Sequence, residues 1–201
     1  KVVKARRKSK RSSVKKGWQG QTLNFGRAVE VGLAWVGALL IVEIIDFSMG
    51  NRLDALGILP RVWIGLIGVL TSPLLHADFA HLMANAGPMA LLLAILFSDS
   101  RYHPKSSLAL IWLVSGLGTW LIGRNAIHIG ASSVIFGLVS FLIVASLWMK
   151  SWRALFFSLI VFFLFGGLFY GIFHVHAGVS WEGHLSGALA GVWVAWVMHG
   201  R

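Results

Sequence analysis

The residues able to do chemistry gather in three short stretches. HIGASSVIFG, residues 128–137, sets Ser132 and Ser133 behind the small pair Gly130 and Ala131 and ahead of an apolar run of membrane-helix length. The small pair leaves room for another chain to approach the Ser132 hydroxyl. A helix starting here puts Ser132 in a first turn, where backbone N–H groups are free and the positive end of the helix dipole favours an oxyanion. SWEGHLSGALAG, residues 180–191, carries one imidazole, His184, on an otherwise small and apolar face. A serine and a histidine at the starts of two hydrophobic helices are the minimum parts for acyl transfer, the imidazole taking the hydroxyl proton. The third stretch, TSPLLHADFAHLMANAGP over residues 71–88, carries His76, His81 and Asn85. His81 and Asn85 are four apart, on one helical face, where both can aim donors at a developing oxyanion.

Each stretch also has a plainer reading. Small residues let membrane helices pack closely, and a serine can bond back to its own backbone. His184 can serve as a structural histidine on a carbonyl, although an imidazole inside a membrane is costly unless partnered or wet. His76 precedes its helix and suits the orienting of a loop. A metal site from His76, His81 and His184 lacks the adjacent carboxylate of an H-E-x-x-H motif, and no metal or other cofactor is expected. Either Glu182 or Asp78 could orient a histidine as a triad acid, but Glu182 reads as a helix-start charge and Asp78 as an N-cap of the helix from Phe79, so the expected pair is a Ser–His dyad without a carboxylate. His103, His128, His174, His176 and His199 fall in loops or at helix ends and receive no role. On the helix of His184, Gly187 and Gly191 lie within about one-sixth of a turn of the imidazole. With Gly183 they form a ladder of glycines that permits close approach of a neighbouring helix. If that neighbour is the helix of Ser132, the hydroxyl and the imidazole meet.

The elements that must hold these groups are membrane spans. Of 201 residues, 57% are hydrophobic and 12% charged, about half the charged share of a soluble domain. There is no cysteine, which excludes disulfides, thiolate metal sites and a thiol nucleophile. We expect an all-α polytopic bundle of six spans, near residues 28–47, 79–97, 107–123, 130–149, 154–173 and 182–198. Pro88 should kink the second. The stretch 48–75 is too broken by Gly, Asn, Pro and charge to span; its apolar second half suits a half-inserted or interfacial element. Nine of the 18 Lys and Arg residues lie within the first 16 positions, and no acid precedes Glu30. Residues 1–27 therefore read as a disordered basic arm against anionic lipid, ahead of a membrane domain over 28–201. A transit peptide would share that composition, and nothing but charge points to nucleic acid. With the arm in the cytoplasm, 15 of the 18 basic residues fall on its side and only Arg52, Arg61 and Arg124 opposite, which places both termini inside. The second, fourth and sixth spans then run in one direction, and their starts bring all three stretches to similar depth on the outer face.

The chain resembles the rhomboid family of intramembrane serine proteases. The matching patterns are G-x-S at Gly130–Ser132, H-x-x-x-x-H-L-x-x-N at His76–Asn85 and G-H-x-x-G-x-x-x-G at Gly183–Gly191, in the family's order, within a resemblance covering residues 28–199. It implies a six-helix bundle, Ser132 as nucleophile and His184 as general base. It implies an oxyanion site from the Ser132 N–H and the side chains of His81 and Asn85, and an aromatic ring, Phe136, packed on the catalytic imidazole. His76, Gly130, Gly187 and Gly191 support that arrangement. Substrates would be transmembrane segments of other proteins, and the partners expected are such a substrate and the bilayer, without nucleic acid or metal. A bacterial inner membrane suits the short chain and minimal six spans. Two departures stand out. Ser133 replaces the usual glycine of G-x-S-G, which admits Ser133 as an alternative nucleophile. The Trp-Arg pair many relatives carry after the first span is represented only by Arg61 and Trp63, reversed and separated. The rival readings are a catalytically inactive rhomboid-like protein that holds transmembrane helices in the same groove, and a bis-histidine haem or metal protein.

Overall fold

The computed structural model describes residues 25–170 and 179–200. Most of the basic arm, and His174 and His176, lie outside them. The described residues form an all-helical bundle whose long helices are α1 (Phe25–Ser48), α3 (Phe79–Phe97), α4 (Pro104–Ile122), α5 (Ser132–Met149), α6 (Trp152–Phe165) and α7 (Trp181–His199). The short α2 (Ile67–Thr71) sits between 3-10 turns.

Local chemistry starts these helices. The Asp78 carboxylate accepts the His81 N–H at 2.7 Å and opens α3; Ser151 and Ser180 cap α6 and α7 in the same way. Pro104 stands in the first turn of α4, where its missing N–H costs nothing, so α4 begins three residues before the expected 107. Gly130 has φ +113°, which no helix accepts, so α5 begins at Ser132 and not at 130. The α3 helix continues through Pro88 as one element. The expected fifth span, 154–173, is helical as α6 and gives way at Gly166–Phe169 to a 3-10 turn.

Among the described residues five helices are long and apolar enough to cross a membrane, those at Phe25–Ser48, Phe79–Phe97, Ser100–Ile122, Ser132–Met149 and Trp152–Phe169. The sixth expected span, α7, falls outside this set. Its Glu182, His184 and glycines lower its hydropathy, and its small face turns toward protein. The α5 helix is the centre of the bundle: two-thirds of its apolar window is buried, against about one-fifth for α1 and α6. It packs most extensively on α7, and α7 in turn on α4. Leu138, Phe141 and Leu142 of α5 join Leu92, Leu96, Ile111 and Val194 in one core.

The stretch between α1 and α3 does not cross. It turns at Gly50 and Asn51, both left-handed, and continues as short turns and α2. Arg61 pins it to the end of α4, donating to the Gly123 carbonyl at 2.7 Å and to Asn125 Oδ1 at 2.7 Å. The indoles of Trp120 and Trp112 donate to the carbonyls of Val62 and Val69, both at 2.9 Å. Trp63 projects outward, its ring 6.2 Å from that of Trp120.

Candidate active site

The site rests on backbone contact between α5 and α7. A Cβ on Gly187 would collide with the Ser133 carbonyl, and one on Gly191 with the Gly137 carbonyl. No side chain separates the two helices, and their starts lie side by side. Ser132 Oγ and His184 Nε2 are 3.1 Å apart, a hydrogen bond. Phe136, one turn along α5, lies flat on the imidazole with ring centroids 4.1 Å apart and planes 9° from parallel. That stacking leaves the ring edge as its polar face and holds Nε2 toward the hydroxyl.

The approach to Ser132 is held at successive residues. The Gly130 N–H donates to the Ser72 carbonyl at 2.9 Å. A Cβ there would lie 2.8 Å from His81 Cε1, so Gly130 meets both a conformational and a steric demand. The Ala131 N–H points at His76 Nε2, 3.4 Å away. Accepting there requires a neutral His76 ring, and burial together with the nearby His81 pushes its pKa down to about 4. His76 and His81 meet edge to face at 5.1 Å.

A cavity of about 820 Å³ opens beside these groups, lined by Asp78, His81, Asn85, Ser132, Phe136 and His184 among others. Asn85 is buried, and one of its amide protons returns to the His81 carbonyl at 2.8 Å. An amide NH2 carries two donors; the second remains for the cavity. As the first helical residue, Ser132 has an N–H with no intrahelical partner. Ser133 is placed differently. It is absent from that cavity and lines only an adjoining space of about 10 Å³, which Ser132 also borders, while its carbonyl faces Gly187. Of the two serines, Ser132 is the one bonded to an imidazole.

A further polar cluster, which sequence reasoning left without a role, joins the two helix starts. His128 Nδ1 lies 2.6 Å from Ser180 Oγ and Nε2 lies 3.0 Å from the Arg124 carbonyl oxygen. Glu182, read as a helix-start charge, is buried, only 2% exposed. Its Oε1 accepts the Arg124 N–H at 3.2 Å, with the Arg124 guanidinium 3.9 Å away. The one available signal is that His128 opens the serine stretch and Arg124 lies four residues ahead of it. Among the described residues no group of three or more His, Asp or Glu side chains is arranged to hold a metal ion.

A family model described as Rhomboid domain matches residues 64–201. Uncharacterized proteins of Mycobacterium tuberculosis and Mycobacterium bovis are each 44% identical over 177 residues, covering 83% of this chain and 73% of their own length. One from Mycobacterium leprae is 36% identical over 178 residues, covering 83% of this chain and 69% of its own. No solved structure matches the chain. With a family match over more than half its length and relatives this similar, the chain belongs to the rhomboid family and is a multi-pass integral membrane protein.

Proposed function

We propose that the protein is an intramembrane serine endopeptidase that cuts transmembrane segments of other membrane proteins. The observation that carries this reading is the 3.1 Å contact between the Ser132 hydroxyl and His184 Nε2 on the wall of a cavity. As Ser132 Oγ attacks the peptide carbonyl, its proton passes to Nε2. The imidazolium then returns that proton to the leaving amine, and a water activated by the same nitrogen releases the acyl group. The oxyanion forms beside the Ser132 N–H, the free Asn85 donor and the His81 ring. Residues 28–201 are the catalytic unit, residues 1–27 a basic arm on the cytoplasmic leaflet. Both termini face the cytoplasm of a bacterial inner membrane, so the cavity opens outward.

A fluorophosphonate probe tests the reading, because only an activated serine reacts. The wild type labels; Ser132→Ala and His184→Ala do not, and neither cleaves a transmembrane reporter. Labelling that survives in Ser132→Ala and disappears in Ser133→Ala would move the nucleophile by one residue. The second reading, an inactive binder of transmembrane helices, rests on Ser133 in place of glycine; a wild type that never labels while binding helices would establish it.

A further inference from the structure

We propose that His128 and Ser180 are positioning residues that set the register between the serine loop and the histidine helix. This inference rests on the protease reading of the same site. Three observations converge. First, His128 is held by its backbone: its N–H donates to the Ile58 carbonyl and its carbonyl accepts the Ile58 N–H, both at 2.9 Å. A Cβ on Gly57 would collide with Ile127, Ile129 and the His128 carbonyl, so this bridge is closely packed. Second, the ring is bonded on both edges. The Arg124 carbonyl is an acceptor only, so the nitrogen facing it, Nε2, carries the proton. In the neutral ring Nδ1 then accepts the Ser180 hydroxyl proton. Third, Ser180 Oγ in turn accepts the Gly183 N–H at 3.1 Å, capping α7 one residue before His184.

The bonds form one directed chain: Gly183 N–H to Ser180, Ser180 O–H to His128, His128 N–H to the Arg124 carbonyl. One end, the Arg124 carbonyl, lies eight residues before Ser132, with His128 midway between them, and the other end adjoins His184. Glu182 and the Arg124 amide close a parallel link between the same two segments. The α5–α7 glycine contact fixes how near the helices come along their length. The His128–Ser180 bond opposes a slide of one past the other at the end where the hydroxyl meets the imidazole.

The experiment combines kinetics with imidazole 15N spectra of the full chain in detergent. In the wild type, His128 shows the Nε2-protonated tautomer at mildly alkaline pH; the opposite tautomer overturns the proposal without any variant. His128→Ala and Ser180→Ala each lower kcat per fluorophosphonate-reactive site on the order of 10- to 100-fold, as displacement of a catalytic group does, and leave KM unchanged. The double variant loses no more than the worse single one, because both remove the same bond. Ser180→Thr keeps the hydroxyl and restores most of the rate. The His184 resonances move in both alanine variants. Losses that multiply in the double variant, or that fall on KM or on the folded fraction alone, overturn it. A wild type that neither labels nor cleaves sinks the protease reading instead. The spectra then decide this one: His184 signals unmoved in both alanine variants refute it, and shifted signals sustain it.

Discussion

Gly187→Ala is the sharpest perturbation of the helix contact on which the site depends. In an unobstructed helix the change favours folding by about 1 kcal/mol, because alanine is the better helix former. Here the added Cβ would land on the Ser133 carbonyl oxygen, well inside contact distance, and that oxygen belongs to backbone that cannot rotate away. Ordinary carbon contacts need roughly 3.5 Å, so α5 and α7 must separate locally by about 1 Å or more. The Ser132–His184 bond, 3.1 Å in the resting structure, then opens to about 4 Å, beyond proton transfer. A displacement of that size costs about 100-fold in rate. The assay is cleavage of a transmembrane reporter in proteoliposomes, normalised to folded protein. The control is Gly37→Ala in α1, where an added Cβ meets nothing within 4 Å and the rate should hold. A Gly187→Ala enzyme with wild-type activity and unchanged stability would refute backbone contact as the device that pairs the two groups.

Three further outcomes follow from the same geometry. Asn85→Ala lowers kcat by about 10- to 1000-fold with little change in KM, measured on the same reporter, because it removes a donor from the oxyanion region. Asp78→Ala removes the α3 cap and costs about 1 kcal/mol in a denaturation series; Asp78→Asn retains most of the cap. His76 is neutral in the fold with its pKa lowered to about 4 from 6.5. Its contribution to stability is complete above 6.5 and is lost as pH falls through about 4, since the unfolded chain binds the proton first. Denaturation midpoints taken from pH 7 to 4 should therefore fall more steeply in the wild type than in His76→Gln.

What could be read from the sequence was local. Asp78 as a cap and the stretch 79–97 match α3, because capping and apolar run length act over a few residues. The glycine ladder was legible as a face for close approach, and α5 is the helix that meets it. Other features were hidden because their causes lie far along the chain. Nothing near His128 announces Ser180, 52 residues later. Nothing near Glu182 announces the Arg124 amide that lets a carboxylate stay buried. The Arg61 clamp likewise depends on carbonyls at the far end of α4. The serine ambiguity could not be resolved from adjacent positions, since one step along a helix turns a side chain by about 100° and sends Ser133 to another wall.

The modest hydropathy of α7 has a consequence for biogenesis. The buried Glu182 and the glycine face suit a berth against protein rather than lipid, and the glycines find one against α5, a helix already in the membrane. Translation delivers α7 after every other described helix. The imidazole therefore arrives after the hydroxyl, and on the protease reading an incomplete nascent chain, with no base beside its serine, is inert toward the neighbouring membrane proteins among which it matures.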